Sequence, residues 1–239
     1  MVDHRRSAVR TAAVWAVVEA ELGQLGGLGR VVDLGGGTGG FAVRLAGLGH
    51  QVTVVDPSPD ALAALDRRAA ESGLAGRMRG VQGDASDLVR LVGEQAVDLV
   101  LCHGVLEVVD DPADTLAATV RVLQRGGALS LLVAHRPAAV LARALAGRLD
   151  EARTLLREGA RAVPRRFTEP EVRALLAGAG VADSPYLHGV RVFADLVPGV
   201  VVDSEPGAVE LLHELELLAS DRPELRTMAS QLHVLARRR

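Results

Sequence analysis

The sequence predicts an α/β fold: a mostly parallel sheet covered by helices on both faces. Three observations carry that expectation. Short apolar runs alternate with amphipathic stretches of helical length from residue 30 to residue 134. The first run leads into "VVDLGGGTGG", which sets five glycines in six positions directly behind a strand. A chain of 239 residues, 49% apolar, can also bury one full α/β core but is short for two.

The elements follow in order. Residues 7–22 place apolar side chains at helical spacing, with Ser7 as N-cap, and the loop "GQLGGLGR" ends that helix. Strand 30–34, helix 38–48, strand 51–55 and helix 59–72 come next. Strand 77–82, helix 85–93, strand 97–102 and helix 113–124 follow, and strand 127–134 begins after the turn "RGG". Beyond 135 the pattern changes to two arginine-rich helices, 137–147 and 149–161. After Pro164, "FTEPEVRALLAGAG" reads as a helix with Thr168 as N-cap and Pro170 in its first turn. Strands at 181–193 and 231–237 enclose a helix from about 206 to 219. Without a repeat or linker to divide it, the chain 1–239 reads as one domain, with a helical segment over 1–29 and a cap insertion over 135–167.

Lysine, asparagine and isoleucine are absent. Their codons are AT-rich, which points to a high-GC bacterial genome. All 27 basic residues are therefore arginine, and their abundance alone is no nucleic-acid signature. The net charge of −3 is unevenly spread: eight arginines against three carboxylates make 135–167 locally +5, leaving −8 elsewhere. Such a segment can attract an anionic partner or form a solvated helical face. The lone Cys102, the lack of a long apolar run and the lack of a secretory leader pattern suggest a cytoplasmic protein without disulfides. The acids and histidines show no metal-ligand spacing.

The glycines satisfy GxGxxG, a weak dinucleotide signal when so many glycines are present. Asp33 discriminates, because Asp33, Gly35, Gly37 and Gly39 stand in the register Asp-x-Gly-x-Gly-x-Gly. This resembles the first motif of class I S-adenosylmethionine-dependent methyltransferases, and a carboxylate at the strand end can receive the cofactor's ammonium. In a pyrophosphate site that charge would be unhelpful. "VTVVDPSPDAL" ends the second strand at Asp56-Pro57, where the acid suits ribose hydroxyls. "GVQGDASDL" places Asp84, Ala85 and Ser86 where methyltransferases typically meet adenine, although Asp84 or Asp87 can equally cap a helix. "VDLVLCHGVLEVVDDP" leaves Cys102 and His103 at a carboxyl-terminal strand end, the edge at which open α/β sheets bind ligands.

Across nearly its whole length the chain is similar to the tRNA 5-carboxymethoxyuridine methyltransferases. The similarity rests on "VRTAAVW", "LGGGTGG", "GHQVTVVDPS", "CHGVLEVVDDP", "VLQRGGALSLL", "GVRVFADL" and "LLHELELLASDRPELRTMASQLHVLAR". It implies a Rossmann-like class I methyltransferase sheet with an antiparallel C-terminal strand, S-adenosyl-L-methionine as cofactor, and methylation of a carboxylate on the wobble uridine. By the same resemblance Arg10 reaches the methionine carboxylate, and Gly35 and Gly36 line the backbone contact. Asp56 holds the ribose, Ala85 and Ser86 border adenine, and His103 closes the pocket. Arg191 is the partner for the substrate carboxylate, and Arg161, Arg165 and Arg166 replace a lysine-rich stretch suited to RNA phosphates.

The chain departs from that family at Ala134-His135, where an aromatic–asparagine pair is expected, and at Val108, where a tryptophan is expected. Aromatics make up only 2% of the chain, although unstacked bases are commonly held on aromatic faces. A small-molecule acceptor and a non-catalytic cofactor-binding protein therefore stand beside the tRNA reading. Methyl transfer is an in-line displacement for which the protein chiefly supplies alignment. A carboxylate acceptor needs no general base, and Arg191 would position it, with Asp195 as that arginine's alternative partner. A hydroxyl or amine acceptor would call on His135 or His103.

Overall fold

The computed structural model of the protein describes residues 2–181 and 186–239. Among these are seven strands: β1 (Arg30–Leu34), β2 (Gln51–Asp56), β3 (Met78–Gln82), β4 (Val97–His103), β5 (Leu123–Ala134), β6 (Tyr186–Val190) and β7 (Gln231–Arg237). They form one sheet in the order β3-β2-β1-β4-β5-β7-β6. β1 to β5 pair in parallel, and β7 runs antiparallel to both of its neighbours. The strand order changes direction between β1 and β4, which opens a crevice at the carboxyl ends of the strands.

The helices are α1 (Val2–Gly23), α2 (Gly40–Gly47), α3 (Pro59–Glu71), α4 (Leu88–Val92), α5 (Pro112–Val122), α6 (Arg136–Leu145), α7 (Leu149–Glu158), α8 (Glu169–Gly178), α9 (Gly199–Ser204), α10 (Ala208–Ser220) and α11 (Pro223–Arg226). On one face, Val14 and Val18 of α1, Leu45 of α2 and Leu65 of α3 pack on Val31, Val54, Leu99 and Leu101. On the other, Leu88, Leu116 and Leu176 of α4, α5 and α8 pack on Val32, Val100, Leu129 and Leu131. Each such leucine contributes about 1.5–3 kcal/mol by leaving water. None of the described helices is long and apolar enough to cross a membrane.

Helix starts follow local chemistry. The Ser58 hydroxyl accepts from the Ala61 N–H, and the Asp111 carboxylate accepts from those of Ala113 and Asp114. Glu171 reaches back to the Thr168 N–H and hydroxyl at 2.7 and 2.9 Å, so the expected α8 start stands. Ser7, expected as a cap, instead lies inside α1, which already begins at Val2. The expected helix 85–93 divides into a 3-10 turn, Ala85–Asp87, and α4.

The "RGG" turn is absorbed within β5. Gly126 takes φ 77°, and the ladder to β4 shifts register between Val97 and Leu99, so an irregularity replaces a chain reversal. The expected strand 181–193 shrinks to β6. Val181 makes only a bridge to Arg238, residues 182–185 lie outside the described residues, and Arg191 leaves the strand with φ 60°. Segment 135–167 departs and returns at one point. His135 and Phe167 form a bridge, Arg136 N–H donates to the Phe167 carbonyl, and Phe167 N–H donates to that of Ala134, each at 2.9 Å. Between these points α6 and α7 pack as a helical hairpin, followed by a 3-10 turn, Gly159–Arg161.

Candidate active site

The glycine loop joins β1 to α2 at the crevice. Gly35, Gly37 and Gly39 take φ of 68°, 54° and 81°, values that side chains rarely allow. Gly36 is required for space: a Cβ there would stand 2.5 Å from the Asp33 carboxylate. Asp33 is 3% exposed and has no hydrogen-bond partner among the described residues. Burial, and then the nearby charge of Asp56, push its carboxyl up to about 7. Asp56 is better served, accepting from the Gly37 N–H through Oδ2 and from the Ser58 N–H through Oδ1, both at 2.9 Å.

The next stations line the same edge. The Pro57 carbonyl accepts from the Gln82 amide at 3.3 Å, tying the end of β2 to that of β3. Asp84 caps the 3-10 turn, taking the Ser86 hydroxyl at 2.6 Å and N–H at 2.8 Å. Those bonds hold its carboxyl below the usual range, so the capping duty open in the sequence is the one it performs. Ala85 is buried beside it and Ser86 is exposed.

His103 ends β4 with its ring edge-on to Phe41 at 4.8 Å, and Phe41 stacks on Trp15 at 4.5 Å. Its Nε2 lies 2.8 Å from Ser130 Oγ, which lies 2.8 Å from His233 Nε2. His188 stacks on His233 at 5.4 Å and sets Nε2 3.4 Å from Asp221. A serine has one proton to give, so at most one of His103 and His233 accepts from it and at least one donates its Nε2–H. Burial drives His103 down to about 3 and lowers His188 and His233 as well. The register puts this row on one face of β4, β5, β7 and β6. Sequence reasoning reached His103 but missed Ser130, His188 and His233, which are lone polar residues in apolar runs.

At the far end of the edge, His135 is 3% exposed, and its Nδ1–H donates to the Ala229 carbonyl at 3.0 Å. Burial lowers its pKa, and it closes the base of the helical hairpin. Its N–H donates to the Ser230 carbonyl, and Ser230 N–H donates to that of Arg191, so the three residues are neighbours. Arg191 Nη2 lies 2.7 Å from both oxygens of Asp195, while its Nε is buried without a partner among the described residues. Arg10 joins the same carboxylate at 3.5 Å. Glu216 of α10, 1% exposed, accepts the N–H groups of Val192, Phe193 and Ala194 at 3.0, 2.8 and 2.6 Å. In the sequence it looked like one acid among many.

The structure thus gathers two groups, one of Asp33, Gly36, Gly37 and Asp56, the other of Arg10, Arg191 and Asp195. The arginines of the hairpin separate as well. Arg165 donates its N–H to the Glu107 carbonyl at 3.0 Å and its guanidinium to the carbonyls of Val109 and Asp110. It anchors the hairpin to the β4–α5 loop and is spent there, whatever its expected place on an RNA-facing surface. Arg166 reaches the Pro164 carbonyl at 3.3 Å. Arg157 and Arg161 are exposed and make no ion pair or side-chain hydrogen bond among the described residues. Glu107, another residue the sequence did not single out, accepts the Ala134 N–H at 2.6 Å while Oε2 stays buried and unpartnered, and burial raises its pKa.

A family model described as a methyltransferase domain matches residues 32–131. The chain is 30% identical to a tRNA 5-carboxymethoxyuridine methyltransferase of Escherichia coli O157:H7, over 96% of this chain and 88% of that protein. It is 33% identical to a ubiquinone biosynthesis O-methyltransferase of Xanthomonas axonopodis pv. citri, over 64% of this chain and 62% of that one. Among solved structures it resembles the plantazolicin methyltransferase BamL, bound to a triazolic desmethylPZN analog and SAH, with a TM-score of 0.64 at 14% identity, covering 99% of this chain and 89% of that chain.

Proposed function

We propose an acceptor for a chain that belongs to the class I S-adenosylmethionine-dependent methyltransferases: the carboxylate of a modified uridine at the wobble position of tRNA. S-adenosyl-L-methionine is the cofactor, and the residues of the crevice suit it. Asp33, a buried carboxylate without a partner among the described residues, would take the methionine ammonium, in space that Gly36 leaves free. Asp56 keeps a lone pair on each oxygen for the ribose hydroxyls. Ala85 and Ser86 would border the adenine, His103 would wall the pocket with Phe41, and Arg10 would take the methionine carboxylate. The bound cofactor supplies a methyl group activated by its sulfonium.

The observation that carries the acceptor assignment is Arg191. It stands at the carboxyl edge of the sheet with a buried Nε–H that nothing described satisfies, and a ligand carboxylate is the natural acceptor for it. A carboxylate also needs no deprotonation, which matches a site whose histidines are poor bases, His103 having been driven to about 3. The hairpin 135–167 would cover the acceptor, offering Arg157 and Arg161 to RNA phosphates. The relative of nearly equal length from Escherichia coli supports the same reading. A small-molecule acceptor is the second reading, favoured by the 2% aromatic content.

Incubation with radiolabelled S-adenosylmethionine and either total tRNA or a small-molecule extract of the host separates the two readings. Label in tRNA that mild alkali releases indicates a methyl ester and supports the assignment. Label confined to the extract overturns it. In the first case, reversing Arg157 and Arg161 to glutamate leaves cofactor binding intact and weakens tRNA binding, and the salt dependence of that binding falls by about 1.5 in log–log slope.

A further inference from the structure

Three charged side chains from two segments meet where α1 passes the end of β6. Asp195 lies 2.7 Å from Arg191 and 3.5 Å from Arg10. The arrangement is not the wandering of a loose loop, because Glu216 ties down the three N–H groups that follow Arg191. Beside the cluster is a cavity of ≈ 180 Å³, lined by Val9, Ala194, Val197 and Val202 as well as Arg10 and Asp195. Two arginines assigned above to two ligand carboxylates are thus both engaged by one internal carboxylate.

The two contacts are unequal. Arg191 holds Asp195 closely with both side chains about a quarter exposed, whereas Arg10 is half exposed and stands beyond good hydrogen-bond range. Exposed, long ion pairs of the second kind contribute little and are readily exchanged. A carboxylate entering the cavity meets both the attraction of Arg10 and the like charge of Asp195. We propose that Asp195 is an internal stand-in for a ligand carboxylate: it occupies Arg10 in the free protein and gives it up, keeping Arg191, when the amino-acid end of the cofactor arrives. This rests on the assignment of Arg10 to the cofactor's carboxylate.

The test compares two ligands with the same thioether-bearing nucleoside, S-adenosylhomocysteine and 5′-methylthioadenosine, of which only the first has an amino-acid end. Titration calorimetry on Asp195→Asn is expected to give S-adenosylhomocysteine affinity about three- to fivefold above that of the unaltered protein, with 5′-methylthioadenosine unchanged. Asp195→Ser carries the same expectation if the asparagine variant does not fold. Unchanged or weaker S-adenosylhomocysteine binding overturns the stand-in, as does equal tightening of both ligands. Arg10→Ala separates the role of Arg10 from that of Asp195. If it weakens S-adenosylhomocysteine binding while Asp195→Asn does not tighten it, the stand-in alone is wrong. If it leaves that affinity untouched, the assignment of Arg10 falls and takes the stand-in with it.

Discussion

Asp33 and Asp56 are two aspartates at adjacent strand ends, and their surroundings set them apart. Asp56 is bonded to two backbone N–H groups, while Asp33 is buried, without a described partner, and raised to about 7. If the cofactor's ammonium needs the Asp33 carboxylate ionised, binding must expel the proton carried below pH 7. Affinity for S-adenosylhomocysteine is therefore expected to rise with pH up to about 7, changing by up to about tenfold per unit below it. Calorimetry in buffers of different ionisation enthalpy checks this through the proton released at pH 6, and a pH-independent affinity between 5 and 7 would reject it. The sequence made Asp33 legible through its spacing to the glycines. Its protonation was not legible, because that depends on burial and on a neighbour 23 residues away.

Loop 191–195 is held by another element. Three N–H groups donate to Glu216, a carboxylate buried within α10. Glu216→Gln keeps the shape but turns an amino group toward donors, so at least one N–H loses its acceptor. That change is expected to cost about 1–3 kcal/mol, measurable as a shifted urea midpoint, and to loosen Arg191. A midpoint equal to that of the unaltered protein would show that the clamp is dispensable. At this scale the regular elements were legible from periodicity: β1, β2, β4, β7, α3 and α8 fall within a residue or two of expectation. Short α9 and α11 were not, since six and four residues carry too little periodicity. The last three residues of the expected 181–193 strand failed because a tertiary contact with Glu216, invisible to local pattern, overrides the apolar run.

Across the whole molecule, the buried histidines set an acid limit. His103, His188, His233 and His135 all have folded pKa values below 6.5, chiefly through burial. The unfolded chain therefore takes up protons first as pH falls. Their stabilising contribution is full above about 6.5 and is lost on acidification toward each folded value. Asp33 opposes them, its contribution being full below about 4 and lost as pH rises through 7. Glu107, raised by burial, acts in the same sense as Asp33, and Asp33 offsets a change comparable to that of one histidine. His103 alone accounts for about 2 kcal/mol between pH 6.5 and 5, so the thermal midpoint of His103→Gln is expected to fall less steeply over that interval than that of the unaltered protein. Equal slopes would mean that this ring takes up its proton equally in the folded and the unfolded chain.

The last strand of the sheet to be synthesised, β7, is not at an edge but lies between β5 and β6. On the ribosome, β1 to β5 can assemble the glycine-loop end of the crevice early. Until residue 237 has emerged, β5 and β6 each present an unpaired margin, Ser130 has no His233 to meet, and Arg191 has no finished edge to stand on. A chain stalled before β7 would therefore carry two sticky flanks, and loss of that one strand would injure this protein far more than its seven residues suggest.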